Sequence, residues 1–331
     1  FTATTASAIG FGNGWFNASG SSSGSLVGDP QSFAFTMPQP GVIVNGATLA
    51  VTTGRDLTLL GGTVVSPGAL VAPAGQITIA AVAGGQFVRL SQPGGILSVE
   101  IPTASLPAPT LWDGAIPTLP QLLTNPAIGS ATGITINAAG QPVLTGSQLP
   151  IQSGDVVGRY LNTSTPTNRN AGAVNIYAQR DLTLTGEWLS IDTLSPLQAG
   201  GNVILNALGN ISLNRIRARG NSQGGNIFIT AGGNVTTANL FTGAEQGNGG
   251  SIRIWSGGDV VVGSLYPRSS PGDNNFIPPL GFFLSYLGRP SNSGSVSITA
   301  RGNITTGAIV STAEQGNGGS INLMASTGNI T

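Results

Sequence analysis

Gly200-Gly-Asn-Val-Ile-Leu205 is a phrase the chain repeats. It returns as Gly224-Gly-Asn-Ile-Phe-Ile229, Gly249-Gly-Ser-Ile-Arg-Ile254, Gly294-Ser-Val-Ser-Ile298 and Gly318-Gly-Ser-Ile-Asn-Leu323, at intervals of 24, 25, 45 and 24 residues. A period in the twenties is the mark of a solenoid, whose single coil cannot bury its apolar side without stacking on copies of itself. The 45-residue step reads as one coil carrying an extra loop. Ile229-Thr-Ala-Gly-Gly-Asn-Val-Thr-Thr237 matches Ile298-Thr-Ala-Arg-Gly-Asn-Ile-Thr-Thr306, and Ala244-Glu-Gln-Gly-Asn-Gly-Gly-Ser-Ile252 matches Ala313-Glu-Gln-Gly-Asn-Gly-Gly-Ser-Ile321. Both matches are offset by 69 residues, which places them two coils apart. A further echo is Arg55-Asp-Leu-Thr-Leu59 against Arg180-Asp-Leu-Thr-Leu184.

The apolar period within each repeat is two, as in Val203-Ile-Leu, Ile227-Phe-Ile and Val296-Ser-Ile, so the repeats are strands rather than helices. Between the runs stand Gly209-Asn210, Gly233-Asn234, Gly302-Asn303 and Gly328-Asn329. Such residues suit corners because they tolerate positive φ. Asn210, Asn234, Asn303 and Asn329 are therefore expected as structural corner residues, stacked in hydrogen-bonded columns. The fold class that follows is all-β: a right-handed parallel β-helix with coils of about 24–25 residues and two excursions. Some ten coils at about 4.8 Å each give a rod on the order of 50 Å.

Three regions are expected. Residues 1–99 read as the first coils, 100–171 as a Pro-rich excursion, and 172–331 as regular coils with a loop insertion at 267–293. Proline cannot donate to a ladder, so the first excursion should lie outside the stack, with Ile134-Thr-Ile136 and Pro142-Val-Leu144 as a small hairpin. The second is apolar, and exposed apolar surface marks contact sites. Phe276, Ile277, Leu280, Phe282, Phe283, Leu284, Tyr286 and Leu287 are its candidate contact residues, unless the loop folds back over a face of the rod.

Composition narrows the chemistry. The 331 residues include 51 Gly, 12 basic and 12 acidic residues, with no His and no Cys. The basic residues are all Arg, which removes lysine-dependent phosphate loops, and a zero net charge gives no footprint for nucleic acid. Without His or Cys there are no ordinary zinc sites, thiol nucleophiles or Ser-His-Asp triads. No cofactor or metal is expected. Glu245 and Glu314 occupy equivalent stations, expected about 9.6 Å apart, at the wide limit for paired glycosidase acids. Asp181, Asp192, Asp259 and Asp273 show no common register in the sequence. Six Asn-x-Ser/Thr triplets start at Asn17, Asn162, Asn210, Asn234, Asn303 and Asn329; four of them are the repeat's own corner.

Phe1-Thr-Ala-Thr-Thr-Ala-Ser-Ala-Ile-Gly-Phe11, Leu49-Ala-Val-Thr-Thr-Gly-Arg-Asp-Leu-Thr-Leu-Leu-Gly-Gly-Thr-Val64 and Leu70-Val-Ala-Pro-Ala-Gly-Gln-Ile-Thr-Ile-Ala-Ala-Val82 resemble the later part of the secretion domain of filamentous-haemagglutinin-like exoproteins of two-partner secretion. The resemblance covers about residues 1–95. The family's Asn-Pro-Asn-Gly signature is missing, as expected if the chain starts inside that domain and is a piece of something longer. The resemblance implies a secreted, cell-surface β-helical exoprotein of a Gram-negative-type bacterium, acting in adhesion or as an extracellular fibre. Its implied partners are an outer-membrane transporter during export and a surface glycan or other cell-surface ligand. Bare coil ends or the 267–293 loop offer routes to self-association. The competing expectations are a carbohydrate-active β-helix enzyme, and the carrier stalk of an exported toxin whose active domain lies outside this chain.

Overall fold

A computed structural model describes residues 1–18, 26–28, 30–82, 84–89, 98–100, 134–136, 142–144, 151–267, 291–313 and 316–331. Its described elements are all strands, and most of them stack in parallel into a β-solenoid. One sheet of nine strands runs the length of the stack, from Thr2–Thr4 through Leu57–Gly61, Ile77–Ala81, Val174–Ala178, Val203–Ala207, Ile227–Ala231, Ile252–Ser256 and Val296–Ala300 to Ile321–Ala325. We call this face one. Its eight steps span about 40 Å.

Each regular coil continues into a three-residue strand and then a two-residue strand. Leu182–Leu184, Ile211–Leu213, Val235–Thr237, Val260–Val262 and Ile304–Thr306 form face two. Ile191–Asp192, Ile216–Arg217, Leu240–Phe241 and Leu265–Tyr266 form face three. Two longer strands, Thr63–Val71 and Val156–Asn162, run through both faces and join them.

The core is a set of apolar columns. Val203, Ile227, Ile252 and Val296 pair in register on face one, as do Leu205, Ile229, Ile254 and Ile298. Leu182, Ile211, Val235, Val260 and Ile304 answer from face two, and Ile191, Ile216, Leu240 and Leu265 from face three. All of them are buried in one continuous cluster. Fully burying side chains of this size contributes roughly 1.5–3 kcal/mol each.

The glycine phrase has a steric cause. A β-carbon on Gly201 would lie 1.9 Å from the Gly172 carbonyl oxygen, and one on Gly225 2.1 Å from that of Gly201. Gly250, Gly294 and Gly319 continue the column, each about as close to the glycine carbonyl below it. Backbone here stacks on backbone with no space for a side chain. Thr163, Thr193 and Thr242, all fully buried, clip this corner by donating to the carbonyls of Gly172, Gly201 and Gly250 at 2.6, 2.7 and 2.5 Å. The column also refines the register. Asn292 and Asn248 are one coil apart with 44 residues between them, and Asn317 follows Asn292 by 25. The long step is thus 44 residues, and Ser293, not Gly294, stands at the station of Gly249.

The Gly-Asn corners form a second column, with Asp as well as Asn. The backbone N–H of Asp181 donates to Asp155 Oδ1 (3.2 Å), that of Asn210 to Asp181 (2.7 Å), and that of Asn234 to Asn210 (2.9 Å). Asp259 donates to Asn234 (2.7 Å), Asn303 to Asp259 (2.6 Å), and Asn329 to Asn303 (2.9 Å). Each side chain satisfies a backbone donor of the next coil where the regular ladder is interrupted. Asp181 and Asp259 therefore do share a register with the corner asparagines, contrary to the sequence reading. Positive φ occurs in this column at Gly154, before Asp155, but not at the Gly-Asn corners at 209–210, 233–234, 302–303 and 328–329. Glycine precedes the ladder residue because the oxygen below fills the space. A β-carbon on Gly258 would meet Asn234 Oδ1 at 2.1 Å, and one on Gly302 would meet Asp259 Oδ1 at 2.1 Å.

The first hundred residues are more than coils. Ser98–Glu100, Gln86–Arg89, Ser32–Phe35, Ala8–Phe11 and Gly14–Asn17 form a five-stranded antiparallel sheet in that order. Phe33, Phe35 and Val88 pack with Leu60, Ala80 and Val82, so this sheet covers the outer side of face one at its early coils. The echo at 55–59 and 180–184 falls on different faces, since Leu57 begins a strand of face one and Leu182 one of face two. The shared aspartate works alike at both, because Asp56 Oδ1 accepts the Gln76 N–H at 2.8 Å as Asp181 Oδ1 accepts the Asn210 N–H.

Neither excursion interrupts the stack. Ile77 pairs with Val174 across the first, and Val156 lies between Val64 and Leu182. Stacking resumes by Val156, earlier than the expected Gly172. The hairpin forms as read, with Ile134 opposite Leu144 and Ile136 opposite Pro142. At the second excursion, Ile252 pairs with Val296, and Pro267 O accepts the Gly294 N–H at 3.0 Å and the Ser293 hydroxyl at 2.8 Å.

Two substitutions, each with a control, test these columns. Gly225→Ala should destabilise the rod by at least about 3 kcal/mol, the upper range for overpacking a rigid interior. Gly46→Ala, whose β-carbon meets nothing within 4 Å, should leave the thermal midpoint unchanged. Asn234→Leu should cost about 1–3 kcal/mol by orphaning the Asp259 N–H, whereas Asn234→Asp keeps the acceptor. Equal melting of the Leu and Asp variants by circular dichroism would rule out a structural ladder.

Candidate functional site

The eight contact residues read from the sequence, Phe276 to Leu287, lie outside the described residues, as do Glu314 and Asp273. Glu245 stands in the corner between faces three and one, its N–H donating to Gly220 O at 3.1 Å. The corner asparagines are committed to the stack. Asn210 accepts the Asn234 N–H through Oδ1 and donates through Nδ2 to Asp181 at 3.0 Å, and Asn303 likewise donates to Asp259 at 3.2 Å.

The buried acids are held by arginine. Arg180 grips Asp155 with Nε at 2.6 Å and Nη2 at 3.0 Å, and reaches Gln152 at 2.7 Å. Desolvation nevertheless raises the Asp155 carboxyl above the usual range, against the pull of Arg180. Arg217 grips Asp192 at 3.0 and 2.5 Å, and this hydrogen bond raises the guanidinium further above its ordinary value. Asp192, Arg217, Phe241 and Tyr266 are register neighbours on face three. Above the ion pair, Phe241 and Tyr266 stack with centroids 4.9 Å apart, and the Arg215 guanidinium lies 5.5 Å from the Phe241 centroid.

A groove of about 540 Å³ opens beside this strip, at the corner between faces two and three. It crosses four successive coils, from Gly46-Ala47-Thr48 through Pro67-Gly68-Ala69 and Arg159-Tyr160 to Gly186-Glu187-Trp188-Leu189. The corner is tight elsewhere: two residues separate Leu213 from Ile216, Thr237 from Leu240 and Val262 from Leu265. Between Leu184 and Ile191 there are six, and the surplus projects Trp188 into solvent at 77% exposure.

The projecting loop is braced. Asn214 Nδ2 donates to the carbonyls of Gly186, at 3.1 Å, and of Glu187, and the Asn214 N–H donates to Ser190 Oγ at 2.9 Å. The Thr185 N–H donates to Gly158 O at 2.8 Å. Gly186 has no space for a β-carbon, which would meet Leu189 O at 2.3 Å and Arg159 O at 2.7 Å. Tyr160 forms a wall, its hydroxyl 3.4 Å from Asp192 Oδ2. Sequence reading passed over this site. The signal was the longer gap between the apolar runs Leu182-Thr-Leu184 and Ile191, unmatched in later repeats.

Comparison with protein-family models, with curated proteins and with solved structures finds no match to this chain.

Burial, followed by the Asp192 carboxylate, pushes the Tyr160 phenol from 10.0 up to about 12, and burial raises Tyr177 as well. The unfolded chain ionises first, so this contribution to stability is complete below pH 10 and is lost as pH rises toward about 12. Alkaline titration followed by phenolate absorbance should show late-ionising tyrosines, one fewer of them in Tyr160→Phe. That variant should also lose stability less steeply over this range; an identical slope would count against the assignment.

Proposed function

We propose that this chain is a segment of a large secreted, cell-surface β-solenoid exoprotein that acts in adhesion or as an extracellular structural fibre. The observation that carries the reading is where the acids go. Asp155, Asp181 and Asp259 are spent on the N–H groups of the next coil, and Asp192 on Arg217. The groove retains a single carboxylate, Glu187, where glycoside hydrolysis ordinarily takes two. This favours a rod that presents surface over one that performs chemistry. The resemblance of residues 1–95 to exoprotein secretion domains supports export to the cell surface, with an outer-membrane transporter as the export partner.

Native material recovered from the cell surface and culture medium, viewed by negative-stain electron microscopy, should appear as rods or fibres far longer than about 40 Å. Short isolated particles would overturn the fibre reading. Release of reducing ends from acidic or neutral polysaccharides by this segment alone would overturn the non-catalytic one.

A further inference from the structure

Exposing a tryptophan forgoes one of the largest burial terms available to a side chain. Trp188 does so on a loop fixed by Asn214, Thr185 and Ser190 rather than on a free tip. Rigid presentation of an aromatic plane lowers the ordering cost of binding, as preorganised sites do. Beside it the groove is lined by Tyr160, Arg159, Glu187 and Thr48. At Gly68 the floor is bare backbone, where a β-carbon would strike Ala47 O at 1.9 Å.

These features specify a ligand. It must offer a flat C–H face to an indole and hydroxyls to donors and acceptors around its edge. The one arginine and one glutamate of the groove balance, so nothing selects a charged ligand. The groove crosses three inter-coil steps, about 14 Å along the rod, the reach of a short oligomer rather than of a single ring. We infer that this groove binds a neutral linear oligosaccharide lying parallel to the rod axis, with one pyranose ring stacked on Trp188. The inference rests on the adhesive reading above and supplies its ligand class.

The test is isothermal titration calorimetry of the intact chain with malto-, cello- and chito-oligosaccharides, with oligogalacturonate and a proline-rich peptide as comparators. Trp188→Ala removes the platform. Trp255→Ala removes a half-exposed tryptophan on face one, remote from the groove in the coil order. At least one neutral oligomer should bind saturably, with affinity falling roughly tenfold or more in Trp188→Ala and unchanged in Trp255→Ala. Equal binding by Trp188→Ala, with its thermal midpoint intact, overturns the site. Binding of the acidic oligomer alone overturns the neutral assignment, and binding of the peptide alone, or of none of the probes, overturns the saccharide class. Attachment of beads coated with the chain to host cells is scored in parallel. Attachment without saccharide binding leaves the adhesive reading standing while the site falls. Trp188-dependent saccharide binding without attachment keeps the site and removes the adhesive reading.

Discussion

The spacing between adjacent coils governs this molecule. Strands in a parallel ladder sit about 4.8 Å apart, and wherever the chain turns between faces the same spacing must be kept by backbone that is no longer in a ladder. At the corner before face one, the carbonyl of one glycine lies where the β-carbon of the next coil's residue would be, from Gly172 through Gly201, Gly225, Gly250 and Gly294 to Gly319. At the corner between faces one and two, a side-chain oxygen takes up both the space and the unpaired N–H. The apolar columns supply the driving force, and the ladders that carry them set the spacing along the strands. The corners hold the same distance where the ladders stop, and the constant distance keeps the columns in register.

That arrangement determines which polar groups are left over. The stack consumes amides and carboxylates at its corners, and the ion pairs at Asp155 and Asp192 tie neighbouring coils together. Among what faces outward are the stacked pair Phe241 and Tyr266, the arginine beside it, and the Trp188 groove.

The repeats were legible because their cause is strictly periodic. Inward columns demand apolar residues at alternate positions, and backbone contact demands glycine at one station per coil. Less legible was anything that departs from alternation for a local reason. Leu59-Leu60 and Ala80-Ala81-Val82 are apolar on both sides of their strands, which signals cover on both faces, yet the cover comes from strands far apart in sequence. Asp and Asn both serve in the corner column because either can accept the next coil's N–H through Oδ1, so a search for repeated identities separates residues that do one job. The Trp188 loop is unique to its coil, and a periodic reading has no second copy to compare it with.

The corner ladder also has a direction. Every Oδ1 in it accepts from the coil that comes later in the chain, and none from the coil before. At this corner a folded coil thus offers its side-chain oxygen to a residue that comes later in the chain, while along the strands backbone N–H groups also point forward, as the Val203 N–H donating to Asn226 O does. From Val174 onward the strands of face one each pair with the coil just before, so assembly there can advance along the polypeptide with low loop-closure entropy at each step. The ladder therefore gives the rod a growing end, with chain order and spatial order advancing together.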